Sequence, residues 1–374
     1  MISMHRSINI DNFENARANL FPEVSIQPKT REAFLRVPRI DFINRFKVLG
    51  NSSWVSCCHA DIAYNIINSD RSLMIAGENT VISTASQPSL IWLMLDLLCV
   101  ESGMVVYEFG TGSGWSTALT AQLVGHNGAV YSSEIEESLA HEAAVRIARL
   151  DLQQVTIKCT AGDFDWAGRD ADRIIYTTSA ASPHDSSLKR ASPQCKAVFV
   201  FQCIGLADAI VSANREGNSY VSEKIVPCYF LPMRAHSGEP AVEASKVGAP
   251  SSYRTIDWDA PKPFLVTDFA HWLNVNWSSL PASNSLTLRQ ERYRSLILAR
   301  ANSACLKLSS DCIEAECDFD EVEIVESWLR RWVADGAPSV LDYRLTISKP
   351  PRGAPLPRHT ELRNDWHFSW TRVN

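Results

Sequence analysis

The stretch VVYEFGTGSG, residues 105–114, decides the fold of this chain. An apolar β-run ends at the acid Glu108 and then turns through three glycines, Gly110, Gly112 and Gly114, into the helix-compatible stretch WSTALTAQLVG. Glycine tolerates the positive φ that such a turn needs, and it has no Cβ to hold a ligand away from the backbone. A helix start offers free N–H groups to a polar or anionic group, so the pattern predicts a nucleotide-type pocket after a first strand.

A G-x-G-x-G turn also occurs at ordinary strand–helix junctions, so the segments that follow decide between the two interpretations. A second strand pattern, AVYSSE, ends at Glu134, roughly twenty residues past the glycines, where an acid can hold both ribose hydroxyls. A third strand pattern ends at Asp163, and a fourth covers residues 173–180. Apolar residues at helical spacing separate the second pattern from the third. Acids at successive strand ends predict a parallel sheet with a cofactor lying across its edge.

The glycine spacing separates two kinds of nucleotide cofactor. A dinucleotide site has the spacing G-x-G-x-x-G, with room for a pyrophosphate. Here the spacing is G-x-G-x-G, Trp115 follows, and no basic residue stands nearby to balance a phosphate. An adenosine with a zwitterionic tail suits this turn better. The sequence therefore predicts S-adenosyl-L-methionine as cofactor and a class I, Rossmann-like α/β methyltransferase fold.

Composition and charge argue against several other classes. The net charge of −6 gives no electrostatic encouragement for nucleic acid. The most apolar stretch, residues 90–100, is too short to span a bilayer and contains Asp96, so it predicts a buried helix. Ten cysteines without C-x-x-C pairs predict neither zinc nor disulfides, and Cys57-Cys58-His59 is interpreted as structural. We expect a cytoplasmic protein with no metal, membrane or nucleic-acid partner.

Several segments resemble one methyltransferase family in consecutive order. Residues 31–43, REAFLRVPRIDFI, resemble the "AFL-x-VPR-x-x-F" opening of protein-L-isoaspartate O-methyltransferases. Residues 63–94, with the element TASQP, resemble that family's next segment, and VYSSE, AGD and DRIIYTTSA follow in the same order. With KIVPCYFLPMRA at 224–235, the resemblance covers about residues 30–235. It implies an S-adenosyl-L-methionine-dependent enzyme that methylates an aspartyl or isoaspartyl carboxylate.

The resemblance also implies roles for particular residues. The glycines of the turn would let the backbone approach the methionine part of the cofactor, Glu134 would grip the ribose, and Asp163 would contact the adenine amine. The implied cofactor-binding residues are Glu108, Gly110, Thr111, Gly112, Ser113, Gly114, Glu134, Asp163 and Phe164.

Ser86, in TASQP, matches the family's active-site hydroxyl, which touches the substrate carboxylate. Gln87 and Pro88 would shape the same substrate loop. A second interpretation makes Ser86 the N-cap of the apolar helix, with Pro88 in its first turn, and both roles can hold at once.

The chemistry suits this sparse set of residues. An aspartyl carboxylate has an ordinary pKa of about 3.9, so it is already a nucleophile at neutral pH. The methyl group on the sulfonium is already activated, so catalysis needs placement and exclusion of water and no general base. His184 is accordingly interpreted as a surface-loop histidine.

The chain departs from the family at two places near the substrate. The family's Pro-Gly-Gly turn before the fifth strand is replaced by Ser192-Pro193-Gln194-Cys195, and Phe164 stands where the family's "GDG" has its second glycine. These changes hint at specialisation away from general protein repair.

We predict three parts: an N-terminal helical segment at 1–80, the methyltransferase core at 81–235, and a C-terminal α+β extension at 236–374. The stretch 235–254, rich in Gly, Pro, Ser and Ala, predicts a linker or long loop at the start of the extension. Val325, Trp328, Leu329 and Trp332 recur at helical spacing. The segments 339–348 and 365–373 alternate as half-buried strands.

Seven of the eleven tryptophans follow residue 250. Two interpretations are open: they fill the core of the extension, or they form a surface that binds a peptide. Relatives with such extensions are associated with ribosomally made peptides, in which a methylated Asp passes through an aspartimide to isoaspartate. We therefore expect a peptide-tailoring enzyme. General isoaspartate repair, a catalytically inactive adaptor and nucleic-acid methylation are the alternatives.

Overall fold

The computed structural model divides the chain into two compact units. The first comprises residues 1–178, 184–199 and 230–238, and the second comprises 179–183, 200–229 and 239–374. The three-part division drawn from the sequence stays a prediction. The residues that the structure describes are 10–20, 22–48, 53–57, 60–76, 81–204, 207–228, 254–255, 265–276, 279–280, 287–291, 295–300, 303–309, 313–315, 319–351, 355, 357 and 359–373.

The first unit opens with helices and a small antiparallel sheet. Its elements are α1 Ile10–Leu20, α2 Pro28–Arg36, β1 Arg45–Val48, β2 Val55–Ser56, α3 Ala60–Ile67, β3 Leu73–Ala76 and β4 Val81–Ala85. The sheet has the order β2-β1-β3-β4, and Phe46 and Leu73 are buried beneath it with Ile67 of α3. The sequence predicted only helical structure here, because strands of two to five residues are too short to show alternation.

The rest of the first unit alternates strand and helix. The elements are α4 Pro88–Leu98, β5 Val105–Phe109, α5 Trp115–Val124, β6 Ala129–Glu134, α6 Glu137–Arg149, β7 Val155–Cys159, β8 Ala171–Tyr176, α7 Ser186–Lys189 and β9 Ala191–Ile204, of which residues 191–199 belong to this unit. The strands pair in parallel in the order β9-β8-β5-β6-β7. The predicted parallel sheet and the buried helix at 90–100 are confirmed.

The strand order places a crevice beside β5. From β5 the chain adds β6 and β7 on one side, and then crosses to add β8 and β9 on the other. Connections that leave in opposite directions open a gap at the carboxyl ends of the two central strands. The glycine turn follows β5 directly and therefore lies at this gap.

A buried ion pair holds the N-terminal helices on α4. Arg17 of α1 lies 2.9 Å from the carboxylate of Asp96, and both side chains are fully buried. Thr30 of α2 donates a 2.8 Å hydrogen bond to the same carboxylate. Asp96, the one acid in the apolar helix, thus joins α1 and α2 to the core.

The described residues of the second unit form two antiparallel sheets and two α-helices. Its elements are β10 Ala207–Glu216, β11 Ser219–Cys228, β12 Arg254–Thr255, α8 Leu265–Asn276, β13 Thr287–Glu291, β14 Ser295–Arg300, β15 Ser303–Ser309, β16 Ile313–Ala315, α9 Phe319–Ala334, β17 Tyr343–Ser348, β18 Thr360–Arg363 and β19 Trp366–Arg372. One sheet has the order β12-β16-β15-β14-β13, and in the other β10, β11, β17, β19 and β18 are neighbours in that order. The predicted α+β extension is confirmed. Residues 235–253 of the predicted linker lie outside the described residues.

The tryptophans of the extension fill its core. Trp272, Trp328, Trp332, Trp366 and Trp370 are each at most 6% exposed. Trp258 and Trp277 lie outside the described residues. The core-filling interpretation is therefore confirmed for the five described residues, and they do not form a peptide-gripping surface.

His271 gives the second unit a dependence on pH. The side chain is 2% exposed and packs 5.0 Å from the ring of Tyr343 and 4.4 Å from that of Trp370. Burial, and to a smaller extent the charge of Arg363, lowers the pKa of His271 to about 3. An unfolded chain binds this proton near pH 6.5, whereas the folded chain binds it only near pH 3. The free energy of unfolding therefore falls as the pH drops through this window.

We expect His271→Phe to make the free energy of unfolding less dependent on pH, by about 1 kcal/mol per pH unit below the ordinary pKa of histidine. Urea unfolding of the wild type and the variant at about pH 7 and about pH 5, followed by tryptophan fluorescence, measures the difference. His141→Gln, at an exposed position of α6, is the control. Equal pH dependence in the wild type and in His271→Phe would contradict this assignment.

Candidate active site

The glycine turn has a backbone that other residues cannot adopt freely. Gly110, Gly112 and Gly114 have φ of +97°, +54° and +88°. A Cβ on Gly110 would lie 3.0 Å from Thr177 Oγ1 and 3.2 Å from Thr178 Cγ2, across the gap between β5 and β8. The glycines therefore serve both the turn and the close packing of the strand ends.

The other turn residues bind their neighbours. The N–H groups of Gly110 and Thr111 donate to the carbonyl of Ser133 at 2.9 and 3.1 Å. The Thr111 hydroxyl lies 2.6 Å from Ser132 Oγ, and the Ser113 carbonyl accepts from Arg146 at 3.3 Å. These bonds fix the turn against β6 and α6.

Glu108 is a fully buried carboxylate under the turn. It accepts hydrogen bonds from Ser116 at 2.5 Å, from Ser132 at 2.7 Å, and from Thr117. Burial raises the pKa of Glu108, and the three hydroxyl bonds oppose that shift. These contacts tie β5, β6 and the start of α5 together. A direct contact of Glu108 with a cofactor stays a prediction.

Glu134 ends β6 beside the same turn and is 7% exposed. Its Oε2 accepts from the N–H of Gly112 at 2.7 Å, and its Oε1 accepts from the N–H groups of Ile135 and Glu136 at 2.9 and 3.1 Å. A carboxylate has about four acceptor positions, so these bonds fix its orientation and leave capacity for a ligand hydroxyl. The two predicted halves of the pocket, Glu134 and the glycines, are in direct contact.

Asp163 and Phe164 follow the third strand of the sheet. Asp163 is exposed, and its carboxylate accepts from the N–H of Asp165 at 2.9 Å. The Phe164 side chain is fully buried, stacked 4.4 Å from Tyr107 and set edge-on 4.9 Å from Phe109. The phenylalanine that replaces the family's glycine at this position therefore packs in the core. Its predicted part in cofactor binding stays a prediction.

Ser86 lies half-buried between β4 and α4. The N-cap of α4 is Gln87, and Pro88 is the first helical residue. Asp70 accepts from the N–H of Ser89 at 2.8 Å, and it also accepts from Ser89 Oγ and Gln87 Nε2. The N-cap interpretation of Ser86 is therefore wrong. Within the described residues the Ser86 hydroxyl makes no hydrogen bond, so it can bind a ligand.

The strand that leads to Ser86 passes over the glycine turn. A Cβ on Gly112 would lie 3.3 Å from Ser83 Oγ and 4.0 Å from the carbonyl oxygen of Thr84. The structure thus brings the strand that leads into TASQP and the glycine turn together at the gap between strands, although Ser83 and Gly112 are 29 residues apart in sequence.

His184 lies on a loop, as predicted, but it is half-buried. Its Nδ1 lies 2.9 Å from Ser186 Oγ, its backbone N–H donates to the hydroxyl of Tyr176 at 2.9 Å, and its ring lies 6.0 Å from that of Phe109. These contacts close the loop after β8.

The described part of the chain contains no group of three or more His, Cys, Asp or Glu residues arranged to hold a metal ion. Cys57 donates to the carbonyl of Ile43 at 2.6 Å, whereas Cys58 and His59 lie outside the described residues. Among the described helices, none is long and apolar enough to cross a membrane.

The parallel sheet, its gap and the glycine turn define a class I, Rossmann-like methyltransferase. A family model described as "Protein-L-isoaspartate(D-aspartate) O-methyltransferase (PCMT)" matches residues 19–189. The protein-L-isoaspartate O-methyltransferase of Vibrio campbellii is 33% identical over 154 residues, covering 41% of this chain and 71% of the relative. Protein-L-isoaspartate O-methyltransferase 2 of Syntrophobacter fumaroxidans is 30% identical over 219 residues, covering 56% of this chain and 77% of the relative.

A solved structure titled "protein-L-isoaspartate O-methyltransferase" has a similar fold, with a TM-score of 0.53 at 20% identity. The likeness covers 90% of this chain and 96% of that chain, so it extends beyond the region that the family model matches. The chain belongs to the protein-L-isoaspartate O-methyltransferase family. It is a carboxyl O-methyltransferase that uses S-adenosyl-L-methionine.

Proposed function

We propose that the protein methylates the carboxylate of an isoaspartyl or aspartyl residue in a peptide or protein. The observation that carries the proposal is the meeting of two segments at the sheet edge. One is the glycine turn, bound by the carboxylate of Glu134, and the other is β4, which passes over the turn and leads to Ser86. A cofactor side and an acceptor side of one site are thereby adjacent.

The residues of the turn suit S-adenosyl-L-methionine. Glu134 has acceptor capacity left for a ribose hydroxyl, and the methionine part would lie along the glycine turn that Glu134 binds. Asp163, which is exposed and follows β7, would accept from the adenine amine. The bound cofactor supplies a methyl group that its sulfonium already activates.

The protein's own residues then need to bind, orient and exclude water. The acceptor carboxylate is ionised at neutral pH, since its ordinary pKa is about 3.9, so no residue has to remove a proton. Ser86 donates its hydroxyl hydrogen to one carboxylate oxygen and leaves the other oxygen free to attack. Placement of this kind accounts for most of the rate that a site without a base can give.

Replacing Ser86 by alanine is expected to lower the rate of methyl transfer about ten- to a hundred-fold. A hydrogen bond to a charged group is worth roughly 1.5–3 kcal/mol when the transition state retains it. Ser102→Ala, at an exposed position before β5, is the matched control and should keep the wild-type rate. A Ser86→Ala enzyme with the wild-type kcat would remove Ser86 from the acceptor site.

We further propose that the acceptor is one specific partner, a ribosomally made precursor peptide. The methyl ester of its aspartate would close to an aspartimide as a backbone amide nitrogen displaces methanol, and water would open the ring to isoaspartate. Two features support this. The segment 192–195, where the family has its Pro-Gly-Gly turn, lies within β9, and the extension adds β17 to the edge of β11. The buried tryptophans give no support.

The choice of substrate is tested by measuring methylation by the full-length enzyme on two sets of peptides. One set contains unrelated isoaspartyl peptides, and the other contains short peptides encoded beside the gene. Poor methylation of the unrelated peptides and efficient methylation of a normal aspartate in one neighbouring peptide is the expected result. Efficient methylation of unrelated isoaspartyl peptides would instead favour a general repair enzyme. A protein that binds the cofactor but methylates none of these acceptors would be an inactive adaptor.

A further inference from the structure

Arg39 is a buried arginine that binds the backbone of the Ser86 segment. It is 1% exposed and begins the short 3-10 turn after α2. Its Nη2 donates to the carbonyls of Ala85 and Ser86, each at 2.8 Å, and to that of Arg71 at 2.9 Å. Its Nη1 donates to the carbonyl of Ile67 at 2.9 Å. Four backbone carbonyls therefore converge on one side chain, and the two hydrogens of Nη2 are shared among three of them.

A fully buried cation is an unusual way to fasten a loop. Burial lowers the pKa of Arg39 to about 9, and the charge of Asp70 only partly opposes the shift, so the group stays charged at neutral pH. Removing such a charge from water is costly unless its donors are matched. Here Nη1 and Nη2 bind carbonyls, whereas the buried Nε has no hydrogen-bond partner among the described residues. The planar guanidinium offers several donors in fixed directions, which a lysine ammonium cannot reproduce. The geometry of this segment is thus strongly specified.

Residues 37–39 also contact α5, the helix that follows the glycine turn. The Arg39 guanidinium lies 5.4 Å from the ring centroid of Trp115, which is the first residue of α5 and directly follows Gly114. The indole N–H of Trp115 donates to the carbonyl of Val37 at 3.0 Å. Residues 37–39 therefore touch both the Ser86 segment and the helix that carries the turn.

We propose that Arg39 is a positioning residue for methyl transfer. By holding the carbonyls of Ala85 and Ser86 and stacking near Trp115, it fixes the separation between the acceptor hydroxyl and the glycine turn. The inference rests on the proposed function, because it takes Ser86 to face the acceptor carboxylate. A displacement of about 1 Å between reacting groups can cost a hundred-fold in rate, so a residue with no contact to substrate can control turnover.

The test uses the full-length protein with Arg39→Lys and, as matched control, Arg173→Lys. Arg173 also donates to backbone carbonyls, those of Leu98 at 2.8 Å and Asp172 at 2.8 Å, but it lies in the amino-terminal half of β8. For Arg39→Lys we expect kcat on an isoaspartyl peptide to fall about a hundred-fold, with the Kd of S-adenosyl-L-methionine changed less than about three-fold. For Arg173→Lys we expect the wild-type kcat, even where its melting temperature is lower than that of the wild type.

Amide hydrogen exchange of residues 83–88 gives a readout that does not require turnover. It should be faster in Arg39→Lys by about ten-fold or more and unchanged in Arg173→Lys. Unchanged exchange, or a fall in kcat equal to that of Arg173→Lys, would overturn the inference. If Arg39→Lys does not fold, Arg39→Gln is measured in the same way.

Ser86→Ala, assayed in parallel, separates this inference from the proposed function. Full activity of Ser86→Ala would refute the acceptor role of Ser86. Impaired Ser86→Ala beside fully active Arg39→Lys would refute the positioning role of Arg39 alone.

Discussion

Replacing Glu134 by glutamine is expected to weaken binding of S-adenosyl-L-methionine about ten- to a hundred-fold. A charge-assisted hydrogen bond from a ribose hydroxyl to the carboxylate contributes roughly 1.5–3 kcal/mol, and an amide keeps only part of that capacity. The substitution also weakens the bond from the N–H of Gly112, since only one oxygen remains as acceptor. Isothermal titration with S-adenosyl-L-methionine measures the change.

The control for this titration is Glu137→Gln. Glu137 is exposed in the first turn of α6, three residues away, so the variant removes the same charge without touching the turn. Binding by Glu137→Gln should match the wild type within about three-fold. Undiminished binding by Glu134→Gln would place the ribose elsewhere and remove Glu134 from the site.

Replacing Gly110 by alanine is expected to lower methyl transfer more than about a hundred-fold. The new Cβ would meet Thr177 and Thr178 at 3.0–3.3 Å, at a φ of +97° that L-residues rarely adopt. The turn must then move away from β8, and the cofactor would no longer lie in line with the acceptor. Steady-state kinetics and a cofactor titration measure both consequences.

Gly103→Ala is the matched control for the backbone cost. Gly103 has a φ of +87°, but no heavy atom lies within 4 Å of an added Cβ. Both variants therefore carry the strain of a positive φ, at about 1 kcal/mol, and only Gly110→Ala also carries the clash. Equal activity of the two variants would show that the close approach at Gly110 has no functional role.

The parallel core could be predicted from the sequence because its signals are local. The β-run 105–109, the glycines and the acid at 134 each occupy a few consecutive residues, and β6 ends at Glu134 as its pattern does. The later strands are shorter than predicted, since β7 ends at Cys159 and not at Asp163, and β8 ends at Tyr176 and not at residue 180. Parallel pairing then follows from the alternation of strand and helix. That Glu134 lies beside Gly112 follows from this order of elements alone.

The contacts around Ser86 could not be predicted in the same way. Asp70 caps α4 from 18 residues upstream of Pro88, and Arg39 reaches the Ser86 segment from a different helix. Both interactions join a side chain to backbone groups, which leave no trace in side-chain periodicity. The capping role that the sequence pattern suggested for Ser86 therefore belongs to Asp70.

The tryptophans show the limit of composition as a guide to function. A cluster of Trp and Tyr is typical of both cores and recognition surfaces, and only burial separates the two. In the described part of the extension, Trp328 and Trp332 of α9 and Trp366 and Trp370 of β19 face the interior. Any peptide recognition by this unit must use other residues.

Transfer of an isotopically labelled methyl group tests the central claim most directly. The full-length enzyme is incubated with methyl-labelled S-adenosyl-L-methionine and a mixture of isoaspartyl and aspartyl peptides that includes the neighbouring-gene peptides. Mild base then releases methyl esters as volatile methanol, whereas N-, S- and C-methyl groups stay bound. Base-labile label that depends on the peptide, and that Glu134→Gln lowers at a limiting concentration of cofactor, is the expected result. Cofactor binding without base-labile label on any acceptor would contradict carboxyl methylation by this protein.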